Sequence, residues 1–338
     1  MQKYNIVIYG LTEAALVCAN SAHKTYPDKN IALVFPDTSK KFILMLAESL
    51  AQNSNQKISI LHKNISSREG NNLKLDDGEI ISFDKLVIAT GSSPIKPSID
   101  GIDKDGVYLI DKDFQNINRI KKFALRSDHV VVFGGGYIGV EFSDELLREG
   151  KSVTIIERSN RLLPSSFDSE ISLSAQQIIE SQGGRVILNN KVKEVIGNHQ
   201  IEAVKLRDGE IIECDFLMIS SGSRPNVEVA EKLKIVFDYD RGILIDDYFR
   251  TSDKDIFAIG DCAAKFEFFR GDLCGFLMQS IKLQEAELVG SNLYSVIYNR
   301  GKLSSYLTYQ KRLLGKIRNQ EKDYEKSHLS LRSLQSRV

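Results

Sequence analysis

Three glycines at G-x-G-x-x-G spacing, Gly134, Gly136 and Gly139 in "FGGGYIGVE", follow the apolar run "HVVV" and open a stretch of helical periodicity. In that setting each glycine has its own task. Gly134 permits a tight turn, Gly136 lets the backbone approach a pyrophosphate, and Gly139 lets helix and strand pack closely, with the phosphates resting on the helix N-terminus. Glu157 ends the next strand, "VTIIE", near the spacing at which an acid receives a ribose 2′-hydroxyl, which favours NADH over NADPH. The adjacent Arg158 pulls the other way, since a guanidinium attracts a 2′-phosphate. A second carboxylate closes "TSDKDIFAIGDCA", where a short apolar strand ends in Gly260 and Asp261 without the proline or charge pattern of a surface turn. An acid placed there faces a ligand.

Positioning these groups takes a repeated strand–turn–helix unit. "HVVVFGGGYIGVEFSDELLREGKSVTIIE" carries strand, glycine turn, amphipathic helix and second strand within about 30 residues, the length of a βαβ unit. "YNIVIYGLTEAALVCANSAHKTY" followed by "NIALVF" repeats the plan at the start of the chain, with Gly10 at the turn but Thr12 and Ala15 where further glycines are expected. "FDKLVIATGSSP" and "DFLMISSGSRPN" echo each other as strand, glycine and proline. The echoes predict an α/β fold of two Rossmann-like dinucleotide-binding domains, the second inserted into the first. The boundaries read as 1–115 with 239–300 for the outer domain, 116–238 for the inserted one, and 301–338 for a basic tail.

Composition bounds the rest. The 338 residues hold 45 Lys plus Arg against 45 Asp plus Glu, so overall charge gives no attraction to nucleic acid. Four scattered cysteines (Cys18, Cys214, Cys262, Cys274), none in C-x-x-C spacing, argue against a disulfide framework and a zinc site, and fit a reducing compartment. The first strand begins at about Lys3, leaving no room for a leader, and no apolar run reaches the roughly 18 residues of a spanning helix. A cytoplasmic location is expected.

On the motifs "FDKLVIATGSSP", "VVVFGGGYIGVEF", "IIERSNRLLP", "SSGSRPN" and "GILIDDYFRTSDKDIFAIGDCA", the chain resembles the FAD-dependent pyridine nucleotide-disulfide oxidoreductases over about residues 3 to 295. The resemblance implies that FAD occupies the first turn and NADH the second. Asp261 then binds the flavin ribityl chain, Thr90 and Gly91 pass close to FAD, and Gly222 lines the nicotinamide nucleotide site. It implies further that Tyr137 stacks near the isoalloxazine and gates nicotinamide entry, with Glu141 on the helix turn beneath it. The branch containing NADH oxidases, NADH peroxidases and coenzyme A disulfide reductases often has G-x-T-H-A-G at the first turn. Thr12 is therefore tolerable there, with a hydroxyl able to donate to a phosphate, and Ala15 adds one methyl at a close contact.

Other positions depart from that branch. Phe35 stands where it has an acid for the adenosine ribose, with Asp37 two residues on as a substitute, and Glu13 replaces a histidine. Met45 stands where the redox cysteine falls and is expected to pack; a thioether forms neither thiolate nor mixed disulfide. Cys18 and Cys262 read as buried and inert. In place of the branch's interface domain, "GKLSSYLTYQKRLLGKIRNQEKDYEKSHLSLRSLQSRV" reads as a solvated basic tail, or as a helix docking on a partner protein or membrane surface. The function expected is hydride transfer from NADH to FAD, with electrons passed to an unidentified non-disulfide acceptor: a quinone, dioxygen or a small redox protein. Two alternatives stand beside it: a type II NADH dehydrogenase-like quinone reductase at a membrane surface, and a degenerate NADH-binding paralogue or partner subunit without flavin activity.

Overall fold

A computed structural model describes residues 1–36, 41–55, 57–110, 114–164, 167–266, 273–274 and 279–295. The chain divides into two compact units. One comprises Met1–Ser93 and the described residues from Arg224 onward; the other is the continuous segment Pro94–Ser223 between them. The second unit is thus inserted in the first, as the sequence repeats predict.

The first unit is built on five parallel strands in the spatial order Ile58–Leu61, Ile31–Val34, Gln2–Tyr9, Ile80–Ile88, Ile256–Ala258. "YNIVIY" is apolar but for Asn5 because both faces of its strand are covered: Tyr4, Val7 and Tyr9 belong to one buried cluster, Ile6 and Ile8 to the other. Ile65–Glu69 and Asn72–Leu75 form an antiparallel meander onto the beginning of Ile80–Ile88. The helix Glu13–Thr25 turns its small side chains, Ala14, Ala15, Cys18, Ala19 and Ala22, inward. The helix Gln279–Asn292 lies close against it, because Gly290 carries no side chain: a Cβ there would press on the Cys18 carbonyl oxygen. Ser21 donates to the Glu287 carbonyl at 2.9 Å and Tyr26 to that of Ser291 at 3.0 Å, tying the two helices together.

The second unit repeats this plan. Its parallel strands run Arg185–Ile187, Ser152–Ile156, His129–Phe133, Phe216–Ile219, Val107–Leu109. Val130 and Val132 face one buried cluster, Val131 and Phe133 the other. The helix Tyr137–Arg148 follows the glycine turn, and Asp168 caps the helix Ser169–Ser181 by accepting from the Glu170 and Ile171 amides. Val192–Ile196, Ala203–Leu206 and Ile211–Glu213 form an antiparallel sheet.

The chain crosses between units after Ser93 and after Ser223, earlier at both ends than the positions read from sequence. The strand Val107–Leu109 belongs to the inserted sheet, where Tyr108 stacks on Phe123 and Phe216. On the return, Val227, Val229, Ala230 and Leu233 already pack in the core of the first unit. The polar stretch after residue 110 lies inside the inserted unit, and its helix runs from Phe114 to Ala124.

Candidate functional site

In the first unit the central strands Gln2–Tyr9 and Ile80–Ile88 lie side by side, and successive strands extend in opposite directions from them, which places a ligand crevice at their carboxyl ends. Gly10 leaves Tyr9 at φ 130°. A side chain there would overlap the Ala89 carbonyl, so geometry and space both require glycine. Thr12 is the N-cap of the following helix: its hydroxyl oxygen accepts from the Ala15 amide at 3.1 Å and its proton goes to the Ala89 oxygen at 3.0 Å. The one hydroxyl proton read from sequence as a phosphate donor is therefore spent on joining the first turn to the Ala89–Gly91 turn. The Thr12 methyl group also lies at Gly91, which sits at φ 71°. Ala15 is fully buried on the inner side of its helix.

Thr90 and Gly91 are held by Asn226. Its amide donates to the Gly91 carbonyl at 2.9 Å and its Nδ2 to the Thr90 carbonyl at 3.0 Å, while the Thr90 hydroxyl donates to the Asn226 carbonyl at 2.6 Å. Gly260, at φ 70°, opens a short 3-10 turn after Ile256–Ala258, next to the methyl of Ala14. Asp261 on that turn pairs through Oδ1 with Lys282 Nζ at 2.6 Å, and the Ser92 hydroxyl reaches its Oδ2 at 3.4 Å. Gly10, Thr12, Ala15, Thr90, Gly91, Gly260 and Asp261 are thus brought to one end of one sheet. Phe35 does not join them: it is buried with its ring edge-on to His62. Asp37 lies outside the described residues, as does the tail from residue 301.

The second unit offers the matching crevice. Gly134, at φ 120°, faces the Ser220 carbonyl as Gly10 faces Ala89. Gly136 has open space where a Cβ would lie, the opening that a close ligand approach needs. A Cβ on Gly139 would overlap the Gly134 carbonyl oxygen, so helix and strand touch there. Glu157 is 6% exposed and binds the turn itself: Oε2 accepts from the Gly135 amide at 2.7 Å and Oε1 from the Ser159 amide at 2.8 Å. Each oxygen keeps further lone-pair capacity for a hydroxyl. Arg158 is exposed. Gly222, at φ 104°, ends the crossing after Phe216–Ile219, close to Ile95. Tyr137 is the first residue of its helix, half-buried against the unit's core, and Glu141 is exposed one turn further on.

No thiol of ordinary reactivity is found among the described side chains. Cys18 and Cys214 are buried, and burial pushes each thiol up to about 12. Cys262 is buried with its sulfur at the Ile88 and Ile259 carbonyls. Met45 is not the packing residue expected: on the helix Lys41–Asn53 it is 53% exposed, while Ile43 and Ala47 take the buried side. Among the described residues no group of acids, histidines and cysteines has the arrangement of a metal site, and no helix is long and apolar enough to cross a membrane.

Three residues of this region were not singled out from the sequence: Asn226, Lys282 and Glu285. Lys282 carried a signal, because it falls on the stripe with Ala286, Val289 and Leu293 that faces inward, and a charge on an apolar stripe requires a buried partner. Asn226 gave none, since its bonds join segments 136 positions apart.

The geometry agrees with known proteins. The family model described as pyridine nucleotide-disulphide oxidoreductase matches residues 4–284. A rubredoxin-NAD(+) reductase from Pseudomonas putida is 28% identical over 269 residues, covering 79% of this chain and 69% of that protein. An NADH oxidase from Enterococcus faecalis is 30% identical over 236 residues, 70% of this chain and 52% of that one. The chain thus spans between about half and about two thirds of these two relatives. Among solved structures, a ferredoxin reductase from Rhodopseudomonas palustris superposes with a TM-score of 0.72 at 24% identity, covering 86% of this chain and 76% of that one. The water-forming NADH oxidase of Lactobacillus brevis gives 0.73 at 24% identity, over 86% and 69%. With both turns in place and most of its length matched, the chain belongs to the pyridine nucleotide-disulphide oxidoreductases, a family that uses FAD and NADH.

Proposed function

We propose that this protein is a FAD-dependent NADH oxidoreductase that passes electrons to an acceptor other than a disulfide, and that it works in the cytoplasm. The observation that carries the reading is the duplicated crevice: two parallel sheets that share the order of four strands, each with a glycine turn pressed against the carbonyl of the neighbouring strand's end. The first crevice fits a flavin dinucleotide, since Gly10 and Gly91 hold backbone conformations that side chains rarely adopt, and Asp261 sits at the strand ends. FAD, when bound, supplies the two-electron chemistry between NADH and the acceptor. Gly136 leaves room for the NADH pyrophosphate, Glu157 takes the adenosine ribose, and Tyr137 with Glu141 lines the approach of the nicotinamide.

The acceptor follows from what stands at the sulfur positions. Among the described side chains, buried thiols and an exposed thioether provide no disulfide relay, which supports another route for the electrons. Relatives named rubredoxin-NAD(+) reductase and terpredoxin reductase support a small redox protein as the acceptor, and those named NADH oxidase support dioxygen beside it.

Loss of the acid at the position of Phe35 removes about one charge-assisted hydrogen bond, roughly 1.5–3 kcal/mol, so FAD is expected to be partly lost on purification and regained when supplied. The test is the visible spectrum before and after adding FAD, followed by anaerobic NADH titration at the flavin band, with and without a thiol-alkylating reagent. Bleaching that survives alkylation supports the reading; abolition by alkylation places the redox centre on a thiol. Uptake of NADH without any uptake of FAD transfers the case to the NADH-binding subunit.

A further inference from the structure

The strand Ile80–Ile88 leaves its sheet as irregular backbone, and two residues from distant segments hold the three carbonyls that follow. Thr12 takes that of Ala89, and Asn226 takes the next two: its Nδ2 donates to the Thr90 oxygen at 3.0 Å and its amide to the Gly91 oxygen at 2.9 Å. The Thr90 hydroxyl returns a bond to the Asn226 carbonyl at 2.6 Å, and the Ser93 hydroxyl donates to Asn226 Oδ1 at 2.7 Å. All these residues belong to the first unit. A carbonyl oxygen only accepts, so the nitrogen of the Asn226 side chain, not its oxygen, must face Thr90.

Without that donor the backbone has a choice. The peptide joining Thr90 to Gly91 is trans, so its N–H points opposite to its carbonyl. Turning the plane over changes mainly the ψ of Thr90 and the φ of Gly91, and glycine takes either sign of φ at little cost. One orientation sends the Thr90 oxygen to Asn226 and the Gly91 amide away from it; the other would put a carbonyl oxygen where the amide now lies. Gly91 stands at φ 71° beside the Thr12 methyl, at the N-terminus of the helix Glu13–Thr25, the kind of terminus on which a diphosphate rests. A cofactor rich in acceptor oxygens gains from an amide there and is repelled by a carbonyl. We propose that Asn226 is a positioning residue of the flavin site, its Nδ2 locking the Thr90–Gly91 peptide with the amide, and not the carbonyl, turned to FAD. The proposal rests on the flavin reading above.

Full-length apoprotein of the wild type, Asn226→Asp, Asn226→Ala and Ser93→Ala is titrated with FAD at neutral pH, with binding rates followed by flavin fluorescence, and separately with NADH. Asn226→Asp keeps the size of the side chain and the acceptor for Ser93, but sets an oxygen against the Thr90 carbonyl. Its FAD affinity is expected to fall about tenfold or more, through slower association because fewer molecules hold the binding orientation, with NADH affinity unchanged. Asn226→Ala removes the donor without the repulsion, stays measurable if the Asp variant fails to fold, and is expected to lose a smaller factor in the same rate. Ser93→Ala leaves Nδ2 on Thr90 and is expected to bind FAD as the wild type does. Wild-type FAD affinity in either Asn226 variant overturns the proposal, and so does a loss carried by faster dissociation alone. An equal loss in Ser93→Ala, or an equal fall in NADH affinity, marks a general loosening and overturns it too. If the wild type itself binds NADH but takes up no FAD, the flavin reading fails and this proposal with it, a result that the wild-type arm alone gives.

Discussion

At the scale of single residues, the glycine turns show how far side-chain type and spacing reach. Gly134, Gly136 and Gly139 were assigned a turn, an opening and a close contact from their spacing, and the backbone shows a positive φ, open space and an overlap with a neighbouring carbonyl, in that order. Thr12 and Glu157 were legible as to place but not as to bonds. The Thr12 proton goes to Ala89, 77 positions away, and Glu157 reaches back 22 positions to Gly135. A long-range contact leaves no trace in local pattern. Because Glu157 ties down the turn and, on the function proposed above, takes the adenosine ribose, Glu157→Ala is expected to lower NADH affinity by about tenfold or more and to narrow the preference over NADPH. Binding titrations with both nucleotides check this; a variant that discriminates as well as the wild type would remove Glu157 from the recognition of the ribose.

Among the elements, strands and glycine-linked helices were legible because hydrophobic period and turn chemistry point the same way. What resisted was helix Gln279–Asn292, whose contacts depend on a helix near the other end of the chain. Gly290 makes that packing possible. Gly290→Ala would push a methyl group onto the Cys18 carbonyl and the Ser21 side chain, and a cost of about 1–3 kcal/mol is expected, visible as a lower thermal midpoint. The loop before Ile256–Ala258 responds to acid instead. Burial raises the carboxyl values of Asp253 and Asp255, but the Asp255 amide and Arg68 outweigh it for the first, and Lys254 and Lys85 for the second, so both lie below the ordinary value of 3.8. Groups depressed on folding stabilise the native state above their unfolded value and lose that contribution as pH falls through the folded one. Denaturant midpoints measured from pH 6 downward should therefore drop below about pH 4. Arg68→Met should shrink the drop, and an unchanged profile in that variant would dissociate the pair from acid stability.

For the molecule as a whole, the duplication was legible, while the crossings between units after Ser93 and Ser223 fall earlier than the positions read from sequence, because local pattern does not show which sheet a short strand such as Val107–Leu109 joins. The insertion also has a consequence for the order in which the chain becomes able to fold. Pro94–Ser223 is continuous, so every strand of its parallel sheet has been synthesised before the ribosome reaches Arg224. The outer unit must wait: its fifth parallel strand is Ile256–Ala258, and the contact between Ser21 and Ser291 closes across 270 positions. Such separations slow folding and leave early strands without partners. On stalled nascent chains ending near residue 250, amides of His129–Phe133 should resist hydrogen exchange while those of Gln2–Tyr9 do not, and equal protection of both would mean that the outer sheet does not need its last strand. During synthesis, then, the inserted unit is finished while the unit around it is still exposed to proteases and chaperones.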